Sequence, residues 1–228
     1  MTQNINTYIR IDKLDNNDLD KLNNIICRQL MNLIPDNQTQ NFHLIKQCLP
    51  QSLERFRICA NANRWWKKDH IDYLHSSQYC TLLYYLSNTI WHETNNTEIP
   101  TRLFNLNKSL NAIDMFYEVE LPSKFFIGHS VGIVFAKATY NDYFAIYQNS
   151  TIGKNHGVAP VIESCVLIYP NSSVIGKTHL SETTVIAPGV QVVNQQQTPP
   201  NSFVFHNGNT LIFKPIKQNN PLEEIFYM

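Results

Sequence analysis

Along residues 17–34, "NDLDKLNNIICRQLMNLI", the apolar residues Leu19, Leu22, Ile25, Ile26, Leu30, Leu33 and Ile34 recur at spacings of three and four. That period predicts an amphipathic helix, which Pro35 stops. Two shorter helical pieces are expected at 40–48 and 51–59, separated by Pro50. Across 76–91, Tyr79, Leu82, Leu83, Leu86, Ile90 and Trp91 share one stripe, with Ser76 or Ser77 as the N-cap. Pro100 opens a further helix running to about Leu110. The first half of the chain therefore reads as helical, with its aromatic stripes as core.

Beyond Ala112 the helical period ends. Ile162, Ile168, Val174, Leu180, Ile186 and Val192 follow one another at steps of six residues. Four places after the first five of these stand Val166, Ser172, Thr178, Thr184 and Val190, all small or β-branched. Within "FFIGHSVGIV", Ile127 and Ile133 repeat the step, and Ile146 with Ile152 repeats it after a phase slip. Six is not a multiple of 3.6, and a half-buried strand would set an apolar residue at every second position rather than every sixth, so this is neither an ordinary helix nor a flat strand. A hexapeptide repeat accounts for it: short parallel strands form the three sides of a prism, the apolar residue points inward, and coils stack about 4.8 Å apart. The fold class expected is α+β, with a helical N-terminal domain at 1–111, a left-handed parallel β-helix at 112–214, and a C-terminal tail at 215–228.

Composition narrows the function. Lys+Arg and Asp+Glu both number 18 among 228 residues, so the formal charge is zero and no basic field is available for nucleic acid. Five scattered cysteines with no C-x-x-C pair suit reduced thiols rather than a disulfide framework or a zinc site. No run is as long and apolar as a membrane span, and the polar opening "MTQNINTYIRIDKLDNN" lacks the apolar core of a secretion signal. A cytoplasmic protein is expected.

The motifs inside the coils carry a resemblance. "IDMFYEV" at 113–119, "GHSVGIV" at 128–134, "NSTIGK" at 149–154, "APVIE" at 159–163 and "TPP" at 198–200 are similar to V-D-I-H-P-x-A, D-H-x-x-G-I-V, S-x-T-L-G-G, R-H-P-x-I and V-P-P. Those are the motifs of serine O-acetyltransferases, hexapeptide-repeat acyltransferases, and the resemblance spans about residues 76–212. It implies that His129 is a general base toward the acceptor hydroxyl and that Asp114, fifteen residues earlier, orients it. An imidazole titrating near pH 6.5 is suited to take a proton from an alcohol as it attacks a thioester. A carboxylate on the other ring nitrogen would hold the tautomer and stabilise the imidazolium.

The resemblance further implies acetyl-CoA as co-substrate, with no permanently bound cofactor. Its matched positions are Gly153, Lys154, Ala187 and Pro188, with Asn207 and Gly208 nearer the end of the chain. It implies a homotrimer or a dimer of trimers. The departures concern the acceptor. Gly128 stands where the family keeps an aspartate, and His156, in the loop "GKNHGVAP", lies three residues before the R-H-P register. The stretch "NANRWW" at 61–66 has no carboxylate where the family uses one. A hydroxyl acceptor other than free serine is therefore expected: a sugar, an amino-acid derivative or a biosynthetic intermediate. The ending "EEIFYM" lacks the terminal isoleucine that family members insert into a partner enzyme of cysteine synthesis. Two rival readings differ in class. A non-catalytic scaffold would keep the prism without the chemistry. A metal enzyme of the same fold would need two histidines five residues apart in its coils, and His129, His156 and His179 sit 27 and 23 apart with no H-x4-H among them, so no metal site is expected.

Overall fold

The structure, a computed structural model, describes residues 7–208, 210–217 and 220–228. A short strand β1 (Tyr8–Arg10) precedes helix α1 (Asn16–Leu33), whose N-cap Asp15 accepts the Asp18 N–H at 2.9 Å. Helix α2 (His43–Asn61) follows, and then β2 (His70–Asp72), which pairs antiparallel with β1. Helices α3 (Ser76–Thr94) and α4 (Glu98–Asn111) complete the helical half.

Two local expectations need correction. The pieces at 40–48 and 51–59 are one helix that runs through Pro50. Losing one backbone bond costs roughly 3 kcal/mol. The stripe Ile45, Leu49, Leu53 and Phe56 is fully buried on both sides of the proline, and each such side chain contributes roughly 1.5–3 kcal/mol. Burial outweighs the break. The cap of α3 is neither Ser76 nor Ser77 but His75, whose Nδ1 accepts the Gln78 N–H at 3.4 Å. Helix α3 is also not striped: every residue from Ser77 to Ile90 is buried. Its polar side chains fasten the segment leading into the second half, through Asn88 to the Tyr117 carbonyl at 2.8 Å and Tyr84 to the Val119 carbonyl at 2.7 Å.

Ala112 ends α4 in the left-handed conformation, φ 50°, and a parallel β-solenoid begins. Its first coil comprises β3 (Phe125–Gly128), β4 (Val134–Phe135) and β5 (Thr139–Tyr140). The second comprises β6 (Phe144–Tyr147), β7 (Thr151–Gly153) and β8 (Val161–Ile162). The third comprises β9 (Leu167–Ile168), β10 (Ser173–Ile175) and β11 (His179–Leu180). Strands β12 (Thr184–Ile186) and β13 (Gln191–Val193) follow, and β14 (Ser202–Asn207) closes the stack. Parallel pairing builds three walls, β3-β6-β9-β12-β14, β4-β7-β10-β13 and β5-β8-β11, with β15 (Thr210–Pro215) antiparallel on the first.

The hexads behave as expected from Ile162 onward. Ile162 pairs with Leu180, Ile168 with Ile186 and Val174 with Val192, and all six are 0% exposed. The first coil departs from that step. Ile127 pairs with Ile146, but the partner of Ile152 is Phe135 and not Ile133. Ile133 is buried at the corner instead, because the corner carrying His129 delays the next strand.

The chain then returns to its first half. Helix α5 (Leu222–Ile225) leads to a fully buried Phe226. The Arg64 N–H bonds the Ile225 carbonyl at 2.7 Å, and the Tyr227 N–H bonds Ala62 at 2.9 Å. Residues 220–228 thus brace the 62–66 loop rather than trailing as a tail. All five cysteines are unpaired, and burial pushes Cys59 to about 11 and Cys80 to about 12. Among the described residues no helix is long and apolar enough to cross a membrane.

Candidate functional site

His129 occupies the corner between the first and second walls, at φ 62°. A non-glycine residue in the left-handed region carries a local cost, which the corner holds in place through neighbouring coils. The Gly132 N–H bonds the Ala112 carbonyl at 2.8 Å, and the Asn149 N–H bonds Val131 at 2.9 Å. The ring of His129 is exposed, and among the described residues no hydrogen bond engages it.

The ring borders a cavity of about 550 Å³ between the two halves of the chain. The solenoid supplies Phe126, Gly128, His129 and Tyr147. The helical half supplies Trp65, Trp66, Leu74, His75, Ser76 and Ser77. Trp66 is buried, stacked on Phe56 at 5.9 Å, whereas Trp65 stands 59% exposed and edge-on to Phe126 at 5.6 Å. A nitrogen of His75 that accepts a backbone N–H carries no proton, so the proton of the neutral ring resides on Nε2.

Gly128 and Tyr147 are coupled. A Cβ at Gly128 would lie 2.4 Å from the Tyr147 ring. That ring is held between Phe126 at 6.0 Å and Tyr169, stacked at 5.8 Å. Burial pushes the Tyr147 hydroxyl up to about 12, so it stays neutral near pH 7. An aromatic face thus takes the space that an acidic side chain at 128 would need.

Asp114 lies on the edge of the second wall, bridged to Val134, and Phe135 N–H bonds its carbonyl at 2.9 Å. Its carboxylate accepts from Lys108 Nζ at 2.6 Å and makes no hydrogen bond to His129. The expected imidazole–carboxylate contact is therefore not formed in this chain. Four of the positions matched to the co-substrate follow the corner column of His129. Ala187 and Pro188 turn from β12 toward β13, and Asn207 and Gly208 end β14. Backbone bonds join this column, from Asn171 to Gln148 and from Gly189 to Pro170, both at 3.0 Å. Gly153 and Lys154 lie at the other margin of the second wall, where β7 ends. His156 sits beyond them in a tight turn closed by Asn155 and Val158, at φ 48°. The chain by itself does not bring His156 to His129.

The residues that sequence reasoning missed are Trp65, Trp66, His75 and Tyr147. The stretch at 61–66 was legible as lacking a carboxylate; that its tryptophans face the histidine was not.

No protein-family model matches this sequence, and a comparison with curated proteins finds no match. Solved structures do match. A serine acetyltransferase from Vibrio cholerae superposes with TM-score 0.68 at 18% identity, over 90% of this chain and 83% of that one. One from Brucella abortus gives 0.62 at 19%, over 76% and 73%. A serine acetyltransferase in complex with CoA gives 0.56 at 14%, over 82% and 75%. The helical half followed by a parallel β-solenoid is thus the fold of serine acetyltransferases.

Proposed function

We propose that this chain is an O-acyltransferase that moves an acetyl group from acetyl-CoA to a hydroxyl of a small molecule, with His129 as general base. The observation that carries this reading is the placement of His129. It is a solvent-accessible imidazole, free of hydrogen bonds among the described residues, bordering a cavity large enough for a small ligand. The likeness in fold to a serine acetyltransferase that binds CoA supports the donor. In the reaction, His129 takes the hydroxyl proton as the oxygen attacks the thioester carbonyl. The carbon–oxygen bond forms, the carbon–sulfur bond breaks, and the proton passes to the departing thiolate.

Ala187, Pro188, Asn207 and Gly208 are the residues along which CoA would lie, since they continue the corner column of His129. The orienting role of Asp114 requires its carboxylate to leave Lys108. Gly153, Lys154 and His156 reach a His129 corner only across a subunit boundary, which a homotrimer, alone or paired, supplies. Val131, Val134 and Val193, each at least 38% exposed along that corner and wall, support such an interface. The Lys108–Asp114 pair is also what favours the rival reading, a non-catalytic scaffold. Incubating the protein with acetyl-CoA and hydroxylated acceptors while following free thiol decides between them. Acceptor-dependent release that disappears in His129→Ala is expected, and release unchanged by that substitution sinks the catalytic reading.

A further inference from the structure

Within the chain, the cavity beside His129 has aromatic walls and no carboxylate, ammonium or guanidinium group among the described residues that line it. The cations nearest in sequence to the lining are turned to other partners: Arg64 lies 4.7 Å and Lys68 4.5 Å from the Tyr227 ring, Lys67 5.7 Å from that of Tyr8, and Lys124 4.8 Å from that of Tyr143. A free amino acid brings an ammonium and a carboxylate, and seating either without a counter-charge is costly. Tyr147, packed against Gly128, closes the space where a carboxylate would meet an ammonium.

What the site does offer is a flat face and a few polar groups. Trp65 presents its ring at the rim, braced edge-on by Phe126. Behind it, His75 turns a ring N–H outward from the helix it caps, and Ser76 and Ser77 line the same wall. Rings with one apolar face are held by stacking on an aromatic side chain, while a small number of polar groups fix their orientation.

We infer that the acceptor is an uncharged, hydroxyl-bearing ring that stacks on Trp65 and presents its hydroxyl to His129, and that this ring is a sugar. The polar groups of His75, Ser76 and Ser77 suit several hydroxyls better than one, which favours a sugar over an aromatic alcohol. This inference rests on the acyl-transfer reading only for the fate of the hydroxyl; the stacking site stands apart from it.

The test uses the full chain, by calorimetry without acetyl-CoA and by thiol release with it. The probes are methyl β-D-glucopyranoside, 2-phenylethanol and L-serine. Saturable binding of the glucoside, with weaker binding of phenylethanol and none of serine, is the expected result. Trp65→Ala should raise the glucoside Kd about five- to tenfold, and Trp65→Phe should retain most of the affinity. Trp65 is exposed, so neither change should disturb folding. Phenylethanol binding tighter than the glucoside overturns the sugar assignment, and a Kd indifferent to Trp65→Ala overturns the stacking site. Binding of neither ring overturns both. Ring binding without thiol release instead overturns acyl transfer and leaves the pocket assignment intact. Efficient acetylation of serine does the reverse.

Discussion

The early and late coils of the solenoid are built differently. From Ile162 onward, stacked partners are 18 residues apart, as in Ile162 with Leu180 and Ile168 with Ile186. Between the first and second coils the separations are 19 for Ile127 with Ile146, 17 for Phe135 with Ile152 and 22 for Tyr140 with Ile162. The late ladder is aliphatic. The first coil points Phe135, Tyr140 and the neighbouring Phe144 inward as a cluster, with ring centroids 5.5–6.3 Å apart. A strict hexad is the cheapest way to stack like on like, so deviations mark places where the chain does something else. Here they coincide with the corner of His129 and the loop of His156.

The contrast makes its largest prediction for catalysis. His129→Ala, in an irregular corner, should reduce acetyl-CoA-dependent thiol release about 10²–10⁴-fold with the melting temperature unchanged. His179→Ala, in the late coils, removes an imidazole that, unlike His129, has a carboxylate partner, Glu163, at 2.6 Å. It should leave the rate within about twofold, since that pair is half-buried and neither residue lines the cavity. Equal losses in the two variants would erase the distinction drawn between the coils.

Stability should show the opposite pattern. Ile186→Ala removes a fully buried rung between Ile168 and Val204 and should cost about 2–5 kcal/mol in denaturant unfolding. Gly128→Ala drives a methyl into the Tyr147 ring and should cost about 1–3 kcal/mol. Adding Tyr147→Ala should recover part of that loss, because the clash is specific to the pair. A double-mutant cycle with zero coupling would show that the two residues do not constrain each other.

A smaller loss than that of His129 is expected at Asp114. With its carboxylate on Lys108, Asp114→Asn should lower the rate less than about tenfold, well below the His129 variant. A loss as large as that of His129→Ala would mean that the carboxylate moves to the imidazole during turnover. Lys108→Met should then raise the rate, and steady-state kinetics would register it.

Much of the architecture is decided by local rules that a sequence carries by itself. The hexad from Ile162 to Val192 specifies stacked parallel strands because only that winding buries every sixth residue. The helix ending before Pro35 and the return to extended chain after Ala112 follow from period and turn chemistry. The fifteen-residue spacing of Asp114 and His129 was legible too. Their separation in space was not, because Lys108 comes from α4 and competes for the carboxylate from outside the repeat. Only tertiary structure joined α2 across Pro50, since burial of both halves outweighed one lost hydrogen bond. It alone set Trp65, Trp66 and His75 over the His129 corner. Those residues are more than fifty positions from His129 in sequence, and their meeting depends on how α2, α3 and residues 220–228 pack together. Packing across such distances has no local pattern to announce it, so the base was readable along the chain and the pocket that faces it was not.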